Sequence, residues 1–407
     1  MSDRGWDVRA LGDIATFEYG SSLPAAARIG DEFPVFGSNG EVGRHRTELV
    51  KGPGIIVGRK GTVGALVWSD CDFWPIDTTY YVGVRPYIDM RWLYWALSTL
   101  GLDRLDSSTG VPGLNRNDAY GLTLKVPPHE EQRRIAKILD ALDNQIQLSE
   151  QIITKLAAVQ RGIIVDLLTN GIDKNGNMRA FGRRPGQFCD SSIGPVPVDW
   201  VVAPLATYQH PRRPYLKTGP FGSSLKQEHW VDEGVPVVTI GSLGDGVFID
   251  SELLYIAEKT ASMLSSYALS PGDIVFSRVA DVGRSVVIGQ REEGWIMSSN
   301  MMWIAIDPSR ADPRFIRANI AANPNVRRQI RRYVNSAGRD VANAKIMNLL
   351  QFPWPPLEEQ IAIADKIAAS ELRIAAEQSR AAKLRASKDG LAADLLTGRV
   401  RIPMGIA

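Results

Sequence analysis

Pro127-Pro128-His129-Glu130-Glu131-Gln132 returns 228 positions later as Pro355-Pro356-Leu357-Glu358-Glu359-Gln360. The same spacing carries Asp166-Leu167-Leu168-Thr169 onto Asp394-Leu395-Leu396-Thr397, and Asn115 onto Asn343. Agreement at three places identifies a tandem duplication whose closing stretches align without a gap. Upstream the halves correspond at shorter spacings. Trp6 pairs with Trp200, Tyr19-Gly20-Ser21-Ser22-Leu23 with Phe221-Gly222-Ser223-Ser224-Leu225, and Gly64 with Gly283. The second globular module therefore carries extra residues spread over several insertions. Similar closing helices with divergent modules imply one shared job for the helices and two different jobs of one kind for the modules.

The double prolines are helix-start punctuation, and the acidic pairs behind them suit the positive end of a helix dipole. From Glu130 to Leu168 there is no proline and a single glycine, Gly162. Apolar residues recur there at spacings of three, four and seven, the mark of an amphipathic helix. The predicted buried stripe is Ile135, Leu139, Leu142, Ile146, Leu156 and Ile163 in the first copy. In the second it is Ile363, Ile367, Ile374, Leu384 and Leu391. About 40 residues at 1.5 Å each make rods of roughly 60 Å. Each rod needs its stripe covered, and the other rod is the obvious cover. The expected fold class is α+β: two mixed α/β modules separated by two long helices that form an intramolecular antiparallel coiled coil, with pseudo-twofold symmetry. The expected divisions are 1–127 and 200–355 for the modules, 128–170 and 356–398 for the helices, and a Gly- and Pro-rich linker at 171–199.

Within the modules, short β-branched runs bounded by Gly, Pro or Asp predict strands at Gly54–Gly58, Val63–Val67, Tyr80–Val84, Pro236–Ile240, Asp273–Phe276 and Val286–Ile288. One helix per module is predicted, from Met90 to about Leu102 and from Pro313 to about Tyr333.

Catalytic signatures are missing. The nearest approach to a phosphate-cradling loop, Gly219–Lys226, lacks the spacing and the closing Ser/Thr. No Gly-x-Ser-x-Gly elbow or His-Glu-x-x-His pair occurs, and the four histidines are scattered. Cys71 and Cys189 have no zinc-like spacing. No apolar run reaches the roughly 20 residues of a membrane span, and the first residues lack a signal-peptide core, so a cytoplasmic location is expected. The balance of 47 Lys+Arg against 45 Asp+Glu is not that of a lone nucleic-acid binder. Either the chain binds no nucleic acid, or its basic groups are concentrated on one face, or a partner supplies much of the phosphate contact.

The repeated Pro-Pro-x-Glu-Glu-Gln helices, Ile193-Gly194-Pro195-Val196-Pro197-Val198-Asp199-Trp200 and Gly219–Lys226 together resemble the specificity subunit of type I restriction–modification systems. The resemblance covers essentially the whole chain. It implies two target-recognition domains, each reading one half of a split, asymmetric site in double-stranded DNA. It also implies helices that space them and dock two modification (methyltransferase) subunits, with restriction subunits added in the nuclease form. The chain itself would be non-catalytic and need no cofactor, S-adenosylmethionine belonging to the methyltransferase partner. One departure is visible: the first helix exits through Thr169-Asn170-Gly171, the second through Thr397-Gly398-Arg399.

The resemblance gives no map of base contacts, so residue type and context supply the candidates. Arg59 and Lys60 ahead of Gly61-Thr62-Val63-Gly64, with Arg278 and Arg284 around Gly283, are matched basic loops suited to phosphates or guanine edges. Arg44 and Arg46 follow Gly37-Ser38-Asn39-Gly40; Arg212, Arg213 and Lys226 are the counterparts sought in the second module. Arg327 and Arg331, with Arg328 and Arg332, line one side of a helix. The loops at Ser108-Thr109 and Ser336 are candidates for backbone contacts alone. An alternative function, a pseudo-symmetric protein scaffold without DNA binding, is separated from this reading by salt-sensitive affinity for duplex.

Overall fold

The computed structural model describes residues 6–105, 113–180, 186–220, 224–279, 283–336 and 341–402. The chain forms two compact units, Met1–Ile152 with Glu377–Ala407, and Ile153–Ala376. Each unit thus holds one module, the root of one long helix and the far end of the other.

In the first unit, strands β1 (Ala15–Tyr19), β2 (Gly54–Gly58), β3 (Leu66–Ser69) and β4 (Thr79–Val84) form an antiparallel sheet in the order β1-β4-β2-β3. Ile55, Val57, Phe17 and Tyr80 bury one face of it against helix α1 (Met90–Ser98), whose Trp92, Leu93 and Leu97 complete the core. The strand expected from Val63 begins only at Leu66. Gly61 and Gly64 adopt positive φ angles of 81° and 73°, which turn the chain where a strand would need it extended. A smaller sheet joins Phe33–Gly37 to Gly40–His45 antiparallel and to Trp74–Pro75 parallel. The chain then enters helix α2 (His129–Asn170).

The second module repeats this plan. Strands β5 (Leu216–Thr218), β6 (Ile274–Ser277), β7 (Ser285–Val287) and β8 (Met301–Ile304) run in the order β5-β8-β6-β7. Its smaller sheet again contains a parallel pair, Val235–Val238 with Ile296–Met297. Sheet register corrects one pairing made from sequence. Gly20 N–H donates to Thr79 O and Gly219 N–H to Met301 O, so Gly20 corresponds to Gly219 and not to Gly222. The single helix expected over Pro313–Tyr333 is two, α3 (Pro313–Ala322) and α4 (Pro324–Ser336). Pro324 has no N–H to donate and pushes Asn323 to ψ 117°, out of helical space. Asn323 then caps the new helix, accepting from Asn325 N–H at 2.9 Å. The module ends in helix α5 (Leu357–Thr397).

The duplicated motif has a structural purpose at each helix root. Gln132 Oε1 accepts the N–H of Asp89, which caps α1, while Gln132 Nε2 donates to Pro127 O. Gln360 does the same with Asp312, the cap of α3, and Pro355 O. Buried Glu131 accepts from Trp6 Nε1, from Nε and Nη2 of Arg401, and from Ile402 N–H. Glu359 accepts from Trp200 Nε1, Arg179 and Ile172 N–H. In each unit the chain leaving one long helix is therefore clamped to the root of the other.

The helices pack antiparallel inside each unit. Asp143 meets Lys388 at 2.7 Å and Glu150 meets Arg385 in the first; Gln160 donates to Ser370 in the second. Ile135, Leu139, Ile146, Ile363 and Ile367 are buried as expected, and Leu142, Leu156, Ile374 and Leu384 are half-buried. Ile163 and Leu391 are exposed, each at 38 %, a correction to the predicted stripe. They hold the same position in the repeat. Four and five residues on, Leu167-Leu168 and Leu395-Leu396 are buried in the module cores. At about 100° per residue, Leu167 and Leu168 lie about 40° and 140° round the helix from Ile163, so the face buried here is centred about 90° away from it, and the same holds for Leu391. Where a helix meets a module, the module chooses the face.

The described residues of the segment expected as a linker, 171–180 and 186–199, form local pairings. Ile172 bridges Met178, Phe188–Cys189 pairs with Val196–Pro197, and Ile193 and Val196 are buried. Cys71 and Cys189 are free and exposed. Among the described residues no helix is long and apolar enough to cross a membrane.

Candidate nucleic-acid interface

One end of the β1-β4-β2-β3 sheet gathers Arg59, Lys60 and Arg116 of the first module. Register brings Tyr19 opposite Tyr80 and Gly58 opposite Thr79, so the chain leaves β2 as Arg59-Lys60 beside Tyr19. The Arg59 guanidinium lies 4.8 Å from the Tyr19 ring centre, and that of Arg116 lies 5.1 Å from it. Arg59 also donates to Asp77 O at 2.8 Å, which fixes its direction. Tyr19 remains 49 % exposed between the two cations. Burial raises the Tyr80 hydroxyl above its ordinary pKa, aided by its hydrogen bond with Tyr19, so the phenol stays a neutral donor to Leu114 O. Ser38, from the Gly37–Gly40 turn, sits against Gly58 and Gly61, so this turn joins the same surface. Lys60 is exposed on it.

The second module reproduces the frame with different side chains. Arg59 N–H donates to Thr78 O and Arg59 O accepts from Leu114 N–H; Arg278 does likewise with Asn300 and Ala342. The Lys60–Gly113 bridge corresponds to a Val279–Val341 bridge. Asn115 and Asn343, matched in sequence, each cap the short helix that follows. Arg278 Nε donates to Ala342 O at 3.3 Å.

Other candidates fall elsewhere. Arg44 lies in a strand, pairing with Asp31 at 3.1 Å and donating to the carbonyls of Asp31 and Glu32. Arg213 is held between buried Asp273, at 2.8 Å, and the Trp303 ring, at 4.7 Å. Burial pushes the Asp273 carboxyl up, with Ser270 N–H and Arg213 pulling against it. Arg284 donates to Leu243 O. These three are occupied inside their own modules. Arg46 and Arg212 are exposed, and Lys226 is exposed with Glu228 3.8 Å away. On α4, Val326, Ile330 and Val334 are buried, Arg327 is half-buried, and Arg328, Arg331 and Arg332 face solvent. The loops at Ser108-Thr109 and Ala337-Gly338 lie outside the described residues.

Sequence reading missed Tyr19 and Arg116. The available signal for Arg116 was its place directly after Asn115, in the repeat-matched cap; none existed for Tyr19, whose neighbours come from three distant segments. No group of three or more His, Cys, Asp or Glu able to hold a metal occurs among the described residues.

Residues 3–158 match the family described as type I restriction modification DNA specificity domain. The MjaVIII specificity subunit of Methanocaldococcus jannaschii is 22 % identical over 298 residues, 72 % of this chain and 66 % of that protein. The putative MjaX specificity subunit of the same organism is 25 % identical over 71 % of this chain and 62 % of its own length. The chain thus spans just under two thirds of these relatives. The crystal structure of the S subunit from M. genitalium aligns with a TM-score of 0.64 at 14 % identity, covering 97 % of both chains, so the fold is shared along its length. A duplicated module on antiparallel helices, a specificity-domain match over residues 3–158 and these relatives converge: the chain is similar to type I restriction–modification specificity subunits and shares their fold.

Proposed function

We propose that this chain reads DNA sequence for a type I restriction–modification complex, with each module recognising one half of a split, asymmetric site. The observation that carries the reading is the matched frame of Arg59 and Arg278. In both modules an arginine leaves a central strand and is pinned to the segment ahead of a capping asparagine, while the side chains around it differ. Identical mounts with different surfaces suit two readers of different half-sites. Arg59, Lys60 and Arg116 supply phosphate or guanine contacts in the first module, and Tyr19 offers an aromatic face. Arg328, Arg331 and Arg332 supply phosphate contacts in the second.

The long helices set the separation of the readers and dock two methyltransferase subunits; restriction subunits join in the nuclease form. Ile138, Leu148 and Val159 on α2, and Ile361 and Leu372 on α5, are exposed apolar residues that support such docking. S-adenosylmethionine is held by the methyltransferase, and shared DNA contact accounts for the formal charge of only +2 here.

The test is methylome sequencing of cells with and without the gene. Loss of one split motif, both halves together, is expected. Exchanging residues 1–126 for another member's module should change one half-site only. A methylome untouched by deletion in cells that make an active complex would refute the reading.

A further inference from the structure

Tyr19 holds two arginines at once. Its ring packs 5.1 Å from the ring of buried Tyr80, whose hydroxyl donates to Leu114 O at 3.0 Å, so the platform is fixed from below while Tyr19 itself stays half-exposed. The guanidinium carbons of Arg59 and Arg116 both lie about 5 Å from the Tyr19 ring centre and are therefore no more than about 10 Å apart. Each guanidinium is anchored at one nitrogen. Arg59 Nη1 donates to Asp77 O at 2.8 Å, and Arg116 Nη1 reaches Phe17 O at 3.5 Å. Among the described residues neither has a carboxylate partner, unlike Arg44 and Arg213, and Nε and Nη2, side by side on one edge of each fork, have no acceptor. A flexible cation is enough for a phosphate, which carries no sequence. A planar fork held against a ring is what a guanine edge requires, because O6 and N7 must be met together. Lys60, exposed beside the pair, is the phosphate-type cation of the same surface.

The second module keeps one member of the pair. Gly219 corresponds to Gly20 and Asn343 to Asn115, so Thr218 stands at the place of Tyr19 and Ala344 at that of Arg116, while Arg278 keeps the place of Arg59. We infer that Arg59 and Arg116, aligned on Tyr19, read two G·C pairs in the half-site of the first module, and that the second module reads only the Arg59-type position in this way; the inference rests on the function proposed above. At 3.4 Å per base-pair step, the limit on the separation of the two arginines puts these pairs within about three steps of each other. Tyr19 is a positioning residue, setting the direction of both forks. Ala344 has no donor to offer a guanine.

The experiment is methylation of a randomised duplex library, at several salt concentrations, by the complex of the full chain with its co-encoded methyltransferase subunits. The half-site of the first module is the one that changes when residues 1–126 are exchanged. It should contain two G·C pairs within about three steps. Arg116→Ala should lower discrimination at one of them about tenfold or more, and leave the other pair and the second half-site at the wild-type level. Tyr19→Leu should relax both positions together, and Tyr19→Phe, which keeps the ring, should restore them. If Arg116→Ala instead weakens methylation of all sequences alike, with a shallower dependence on salt, the arginine is a phosphate contact and the inference is overturned. A first half-site without two such pairs, or a Tyr19→Leu variant that relaxes neither, also overturns it. In each of these cases the split motif, and with it the proposed function, stands. A wild-type complex that methylates no split motif sinks both.

Discussion

Replacing Glu359 by alanine removes an acceptor that holds three donors at one point. Arg179 Nη1 lies 2.5 Å away, Ile172 N–H 2.9 Å and Trp200 Nε1 3.3 Å. The Arg179 and Glu359 side chains are only 11 % and 10 % exposed, so water cannot replace the carboxylate. Removing one partner of a buried pair costs about 3–5 kcal/mol. Asp199, 2.9 Å from the other Arg179 nitrogen, remains to compensate part of the charge, so about 3 kcal/mol is expected here. The duplicate supplies the control. Glu131 is equally buried, but Arg401 is 42 % exposed and can turn to water, so Glu131→Ala should cost nearer to about 2 kcal/mol. The readout is hydrogen exchange at Ile172 and its neighbours for one variant, and at Ile402 for the other. A loss of about 3 kcal/mol raises the opening constant more than a hundredfold. If Glu359→Ala loosens its clamp no more than Glu131→Ala loosens its own, burial does not set the strength of these clamps and the reasoning fails.

Arg59→Ala should cost about 1–3 kcal/mol of discrimination at one position of one half-site, with the other half unchanged, scored by methylation of a substrate library. Converting Arg328, Arg331 and Arg332 together to alanine should instead weaken binding to all duplexes alike. The slope of log affinity against log salt should become shallower by about 0.9 for each phosphate that is no longer neutralised. For pH, burial alone would raise the Glu131 carboxyl, but hydrogen bonds from Arg401 and Trp6 outweigh it and hold its pKa below the ordinary 4.5. Its contribution is therefore full above 4.5 and is lost as pH falls through the lower folded value. Protection of the Gly398–Ile402 segment should decline over that acid range and be flat from neutrality down to about pH 5; a decline beginning near neutrality would contradict this. Gly171→Ala should destabilise the second unit, since φ there is +66° and the added carbon would overlap both Glu359 Oε1 and the Trp200 ring. Gly398→Ala, where the added carbon would meet the Trp6 ring at 3.0 Å, should cost less in thermal unfolding.

Local sequence was enough wherever a signal repeats or lies close along the chain. The double prolines, the acidic pairs and the apolar period announced both long helices to within a residue or two at their starts and ends. Asn115 and Asn343 were legible only as a repeat; that each caps a short helix comes from the structure. Tertiary context decided the rest. Ile163 and Leu391 satisfy the helical period, yet a period says only that a face exists; the module cores selected Leu167-Leu168 and Leu395-Leu396 for it. Arg44 and Arg213 carry the same charge as Arg59, but what an arginine does depends on carboxylates and carbonyls that fold beside it from elsewhere.

The amino-acid sequence by itself determined that this protein is a duplicated module on long helices, because helix periodicity, proline punctuation and repetition are local properties. Only the tertiary structure decided why the motif reads Glu-Glu-Gln. Glu131 needs Trp6 and Arg401, Glu359 needs Trp200 and Arg179, and each Gln needs the first N–H of a module helix. These partners lie from tens to hundreds of residues away. Hydrogen bonds of that kind are selected by geometry at about 3 Å, and no spacing along the chain encodes it.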